Sequence, residues 1–189
     1  MTTTPSKTIE ISIEDNLESI FENLKKATLM HKKGFQIKID FSKIRAKGDI
    51  ISSSEKKSEG VISFLKIYDK ALSLIHSNLE KDSNHAILNV NHPDILEFLS
   101  FTSSFDIKVR VNNTFINAAQ NNLMYDLLDP RTKKTVNQLN AKNVYNLIED
   151  KTNNQNESGL LYANQQISFI ENKRSFEEII PPPIITIAS

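Results

Sequence analysis

The residues best placed to do chemistry stand together at Lys57-Ser58-Glu59-Gly60. A serine just ahead of a helix accepts an orphan backbone N–H of the first turn as an N-cap. Ser52-Ser53-Ser54 offers further hydroxyls within 42–57, a stretch of Gly, Ser and charges that reads as an irregular, mobile loop. Arg45, Lys47, Lys56 and Lys57 make that loop locally basic. His92-Pro93-Asp94 comes after a strand-like run, at the strand end where α/β proteins bind ligands. Helix initiation with proline in the first turn explains it equally well.

Other chemistries lack their residues. His31, His76, His85 and His92 fall in different elements without metal-ligand spacing, so no metal site is predicted. The chain has no cysteine, which removes thiolate ligands, disulfides and cysteine nucleophiles. No Gly-rich phosphate loop and no nucleophile elbow occur. The expectation is therefore a non-enzymatic protein with no cofactor. A formal net charge of zero argues against a dedicated nucleic-acid binder. The N-terminal MTTTPSKTIE lacks an apolar signal region, and no run of about 18 apolar residues exists, so a cytoplasmic protein without membrane insertion is expected.

The elements that would position these residues are read from periodicity. TIEISIE at 8–14 alternates and reads as a strand. Asp15 or Asn16 caps a helix whose apolar residues Leu17, Ile20, Phe21, Leu24, Ala27 and Leu29 share a face, stopped by Gly34. FQIKIDF at 35–41 is a second strand. A helix from Ser58 to near Leu79 carries Val61, Phe64, Leu65, Tyr68, Leu72 and Ile75 on one face. Further strands are expected at 85–91 and 105–111, with a helix between them bearing Ile95, Leu96, Phe98 and Leu99. NNTFINAAQNNLMYDLL predicts one helix ending at Asp129-Pro130, and 131–150 predicts another. With 189 residues, 39% hydrophobic and 24% charged, the chain is globular, of one domain with an extension or of two very small ones.

Three segments resemble the STAS domain of bacterial anti-sigma-factor antagonists over residues 8–120. They are IKIDFSKI, SEGVISFLKIYDKAL with its aromatic eight residues after Gly60, and HAILNVNHPDILEFLSFTSSFDIKVRV. The resemblance implies a STAS-like α/β sheet flanked by helices, continued at 121–189 by a mostly helical extension. It also implies phosphorylation of Ser58 by a regulatory kinase, with Lys57, Ser58, Glu59 and Gly60 at the partner surface. The motif departs here: its Asp is Lys57 and its second Ser is Glu59. The function so implied is a regulatory interaction module. The alternative is an adaptor subunit of a transport or secretion system that holds a client through its C-terminal extension.

TNNQNESG reads as a polar linker, and 160–180 is ambiguous between helix and strand. Pro181 to Pro183 hold the chain extended. Ile184, Ile185 and Ile187 are too apolar for a free tail, so 184–188 is expected to add as an edge strand to its own sheet or to a partner's.

Overall fold

The computed structural model describes residues 7–51, 55–75, 84–152 and 160–162. In chain order the elements are β1 (Thr8–Ser12), α1 (Leu17–Lys32), β2 (Gln36–Asp40), β3 (Ile50–Ile51), β4 (Lys56–Lys57), α2 (Gly60–Ser73), β5 (His85–Asn89), α3 (Ile95–Ser100), β6 (Asp106–Val111), α4 (Asn113–Gln120), β7 (Met124–Leu128), β8 (Thr135–Asn140), α5 (Ala141–Thr152) and β9 (Leu160–Tyr162). The expected α/β class is correct: a parallel sheet is flanked by helices. Ile11, Ile37, Ile39, Leu88 and Val109 lie in strands as predicted.

Among the described residues the main sheet has five parallel strands in the order β1-β2-β5-β6-β9. Each connection steps to the next strand in the same direction. Parallel crossovers are right-handed in nearly all proteins, so five strands in this order carry their helices on a single face. The core agrees. Ile11, Ile37, Ile39, Ala86, Leu88, Ile107 and Val109 share one cluster with Ala27 of α1, Leu65 of α2, Phe98 of α3, Phe115 of α4 and Ile148 of α5. Successive strand residues point to opposite faces, and the register aligns these seven on one of them.

The other face is polar. Paired across the strands stand Glu10, Lys38, His85 and Asp106 in one row, then Ser12, Asp40, Ile87 and Lys108, then Asn89 and Arg110. The described residues beyond 120 pack on the same core. β9 pairs with β6, and Ala141, Val144, Tyr145 and Ile148 enter the common core.

Four expectations need correcting. The helix expected over 112–128 stops at Gln120, and Asn122 adopts a left-handed φ of 53°. Residues 124–128 form strand β7 instead, because Tyr125 and Leu127 are buried while Met124 and Asp126 are exposed, a period of two. The helix at 131–150 begins only at Ala141, since 135–140 pairs with β7 as an antiparallel hairpin. On α1 the buried stripe is Ile20, Ala27 and His31, with Leu24 partly buried; Leu17, Phe21 and Leu29 are half exposed or more. Leu96 likewise faces outward. Within 42–57, β3 and β4 form a short antiparallel ladder. The edge-strand expectation for 184–188 and the Ser52–Ser54 and His76 readings lie outside the described residues.

Leu65 is fully buried, whereas Phe64 is only partly so. Leu65→Ala is expected to cost about 2–5 kcal/mol and Phe64→Ala less. Urea midpoints of the two variants check the order; an unchanged midpoint for Leu65→Ala contradicts the core described above.

Candidate functional site

The carboxyl ends of β2, β5 and β6 gather the polar groups that the fold leaves unburdened by packing. Asp40 ends β2 and is 8% exposed. Arg110, near the end of β6, reaches across the sheet. Its Nη1 ion-pairs with Asp40 Oδ2, and its Nη2 lies 3.1 Å from Glu10 Oε1 on β1. One guanidinium thus ties three strands, with the charge of each carboxylate met by an N–H fork. Asp40 Oδ1 accepts the Ser42 N–H at 2.9 Å, and Ser42 Oγ accepts the Asn89 N–H at 2.8 Å. The end of β2 is therefore fastened to the end of β5 by side chains as well as by the ladder.

The turn after β5 is held in the same way. His92 is 2% exposed. Its Nδ1 accepts the Asp94 N–H at 3.0 Å, and its Nε2 sits 2.8 Å from the carbonyl of Ile44. Those partners require the neutral ring with its proton on Nε2. Burial holds its pKa below the ordinary histidine value. His31, also buried among backbone, is lowered for the same reason.

Asp94 joins three segments. Its Oδ2 accepts the Val61 N–H at 3.0 Å, at the start of α2, and its Oδ1 accepts the Lys47 N–H at 3.0 Å. The carboxylate thus caps α2 from another element, at the positive end of the helix dipole. Gly60 lets it approach. With φ at +72°, a Cβ there would lie 2.5 Å from Asp94 Oδ2 and 2.8 Å from the Lys47 backbone nitrogen.

The site residues named from the sequence occupy different settings. Gly60 is buried under Asp94. Ser58 is 6% exposed, and its Oγ accepts the Gly60 N–H at 3.1 Å. The residue at the N-cap position of α2 is Glu59, whose side chain makes no cap bond. Lys57 and Glu59 are exposed. Ile184 and Ile185 lie outside the described residues. His92 and Asp94 are brought into the centre of the arrangement. Asp40, Arg110, Ser42 and Asn89 did not stand out in the sequence. Their signal was present as polar residues at alternate strand positions, Lys38/Asp40 and Lys108/Arg110, where one-sided burial would put them together.

A cleft of about 60 Å³ opens beside these groups, lined by Ser42, Asn89, Asn91, His92, Leu128, Asp129, Pro130 and Lys133. The β7–β8 hairpin forms its far wall. Leu128 N–H binds the Asn91 carbonyl at 2.8 Å, and Tyr125 Oη donates to the Val90 carbonyl at 3.0 Å. Burial raises the Tyr125 phenol above its ordinary pKa. In the hairpin turn, Asp129 Oδ1 accepts N–H groups from Thr132 at 2.7 Å and Arg131 at 2.8 Å, which holds that carboxyl below the usual range.

Comparison with known proteins decides the family. Residues 8–172 match the family described as ribonucleotide reductase, barrel domain. The chain belongs to that family. It is 34% identical over 163 residues to the vitamin B12-dependent ribonucleoside-diphosphate reductase of Thermoplasma acidophilum, covering 82% of this chain and 21% of that protein. It is 31% identical over 146 residues to the protein of the same name from Mycobacterium tuberculosis, covering 73% and 21%. With the ribonucleoside-diphosphate reductase subunit alpha of Helicobacter pylori it shares 30% identity over 139 residues, covering 68% and 18%. The chain thus spans about a fifth of the length of these relatives.

This overturns the STAS resemblance and what it implied. The relatives are named as enzymes, so the expectations of a non-enzymatic regulator, of a phosphorylation switch with a regulatory kinase as partner, and of a transport or secretion adaptor are all withdrawn. The physical reason lies in the pieces that carried the likeness. A strand, an amphipathic helix opened by Gly60 and a strand leading into a proline-started helix are features of any right-handed parallel crossover. Such local segments do not by themselves tell one α/β family from another.

The names of two relatives mention vitamin B12. The cleft of about 60 Å³ accommodates a few waters or one small polar group. Pockets for drug-sized ligands run to about 300–1,000 Å³, and a corrin is larger than such ligands. The residues of this cleft do not fit that cofactor.

Two outcomes are expected. Gly60→Ala and Asp94→Ala should each destabilise the fold by about 1–3 kcal/mol: the first strains a left-handed backbone, and the second orphans two backbone donors. Chemical denaturation checks both, and a wild-type midpoint in either variant would contradict the geometry. The second outcome concerns pH. The unfolded His92 takes up a proton near pH 6.5, while the folded ring stays neutral to lower pH. Its contribution is complete above about pH 6.5 and is lost as pH falls below it, with a slope of at most about 1.4 kcal/mol per pH unit. Denaturation between pH 7.5 and 5 should therefore show falling stability, and His92→Gln should flatten that slope.

Proposed function

We propose that this chain serves as a five-stranded half of a ribonucleotide reductase barrel, with its polar sheet face turned to the barrel interior and to a nucleotide. One observation carries the reading: the sheet is wound in a single direction. All its helices stand on one face, and Glu10, Lys38, Asp40, His85, Lys108 and Arg110 stand on the other. An open doubly wound sheet covers both faces with helices and buries both as apolar runs. A barrel instead turns one face inward and coats the other with helices. A cationic side chain such as Arg110, 26% exposed on that face, suits a polar, phosphate-bearing substrate.

The chemistry implied by the relatives' names sets a further condition. Reducing a ribonucleoside converts a C–OH to a C–H, taking in two electrons and two protons and releasing water. A dithiol closing to a disulfide supplies that count. This chain has no cysteine, so in this reading the dithiol comes from outside it. The rest of the barrel, on this polypeptide or on another, then supplies it, in the cytoplasmic setting expected from the sequence. Among the described residues no helix is long and apolar enough to cross a membrane.

The test is a reductase assay on the purified chain together with the proteins that co-purify with it. Ribonucleoside diphosphates and a dithiol reductant are supplied, and deoxyribonucleotide is measured. Activity that falls at least tenfold in Arg110→Ala supports the reading. Absence of product from all four diphosphates, with no calorimetric binding of any of them, rejects it.

A further inference from the structure

The cleft at the carboxyl end of β5 contains polar groups that the fold does not use. Asn89 and Asn91 line it, and neither side-chain amide makes a hydrogen bond to the described protein. Lys133 lines it from the hairpin, in no ion pair with a described residue. Its backbone is held in the left-handed region at φ 59°, an uncommon conformation for a non-glycine residue. Ser42 Oγ accepts the Asn89 N–H, which leaves its own proton to donate. The residues lining this cleft of about 60 Å³ thus bring two carboxamides, one ammonium and one hydroxyl to its walls.

The remaining charged groups nearby are already engaged. Asp129 Oδ1 receives two backbone N–H groups, and its Oδ2 lies 3.6 Å from Arg131 Nη2. Arg131 also pairs with Asp49 at 3.1 Å. Asp40 is held by Arg110 and by the Ser42 N–H. His92 lines the cleft as a neutral ring with both nitrogens spent. The uncommitted charge is the single ammonium of Lys133, and every uncommitted polar group can donate.

We propose that this cleft binds a small tetrahedral oxyanion, a phosphoryl group in size and charge, through Lys133, Asn89, Asn91 and the Ser42 hydroxyl. The pocket floor is preformed, since Leu128 N–H to Asn91 and the Ser42–Asn89 bond fix both walls. Preformed donors bind without the cost of ordering them. The site lies at the carboxyl ends of the strands, on the same sheet face as Arg110, and it stands on the donors named here, none of them Arg110, whether or not the barrel reading holds. The same chemistry has two sources, free phosphate and the terminal phosphoryl group of a nucleotide.

The experiment uses the full chain labelled with 15N, titrated in separate arms with inorganic phosphate, a nucleoside diphosphate, the bare nucleoside and MgCl2. The side-chain amide signals of Asn89 and Asn91 are tracked. Phosphate should move them saturably, with affinity weakened about tenfold or more in Lys133→Ala and largely restored in Lys133→Arg. A shift with the diphosphate but not with the nucleoside makes the nucleotide the source; a shift with phosphate alone makes it the free anion. Unmoved amide signals in both anion arms, wild-type affinity in Lys133→Ala, or a response to MgCl2 instead of phosphate overturns the proposal. Arg110→Ala separates this site from the barrel reading: it should leave the Lys133-dependent shifts in place even if reductase activity is lost or never found.

Discussion

The Asp94 carboxylate is the point on which the described structure turns. It lies between the loop after β2, the start of α2 and the turn after β5, and accepts a backbone N–H from each of the first two. A carboxylate in such a place acts as an N-cap does within one helix, but between elements distant in sequence. Removing it leaves buried donors without water, which is more costly than the net value of any one bond. Gly60 is the complementary feature, since its missing Cβ is the space the carboxylate occupies. His92, two residues before, fixes the same turn from the other side through its own two nitrogens. Together they fix where β5 ends, and so where the polar strand ends meet.

That anchoring produces a sheet with two unlike faces. The helices share one apolar core on one side, and the far side carries alternating charges in register. Such a face is expensive to leave dry unless its charges are paired or engaged. Arg110, bridging Asp40 and Glu10, shows how the described part manages it. A sheet coated by helices on one face only fits the barrel-domain family that the chain belongs to.

The β7–β8 hairpin was the least expected part of the structure and has a consequence for the site. It closes over the end of β5 through Leu128 and Tyr125 and brings Lys133 to Asn89 and Asn91. The two helices expected on either side of Pro130 would not have built this antiparallel wall. The change from period 3.6 to period two at Met124 therefore creates the cleft.

Much was legible from residue order alone. The alternation of Ile9, Ile11 and Ile13, and the apolar spacing of Val61, Leu65, Tyr68 and Leu72, fixed strand and helix because a periodic stripe has only one way to face a core. Asn16 caps α1, accepting the Ser19 N–H at 2.7 Å, and Gly34 ends it at φ +83°, both local features with local signatures. Relations between distant residues were not legible in this way. Ser58 reads as a helix cap and does accept the Gly60 N–H, but the next N–H, that of Val61, goes to Asp94, far along the chain. Leu17, Phe21 and Leu29 read as core until the sheet selects Ile20 and Ala27 instead. Above all, strand order is not written in any segment. Local pattern determined the elements, and only their packing decided that the sheet is wound one way, which faces are charged, and which side chains meet.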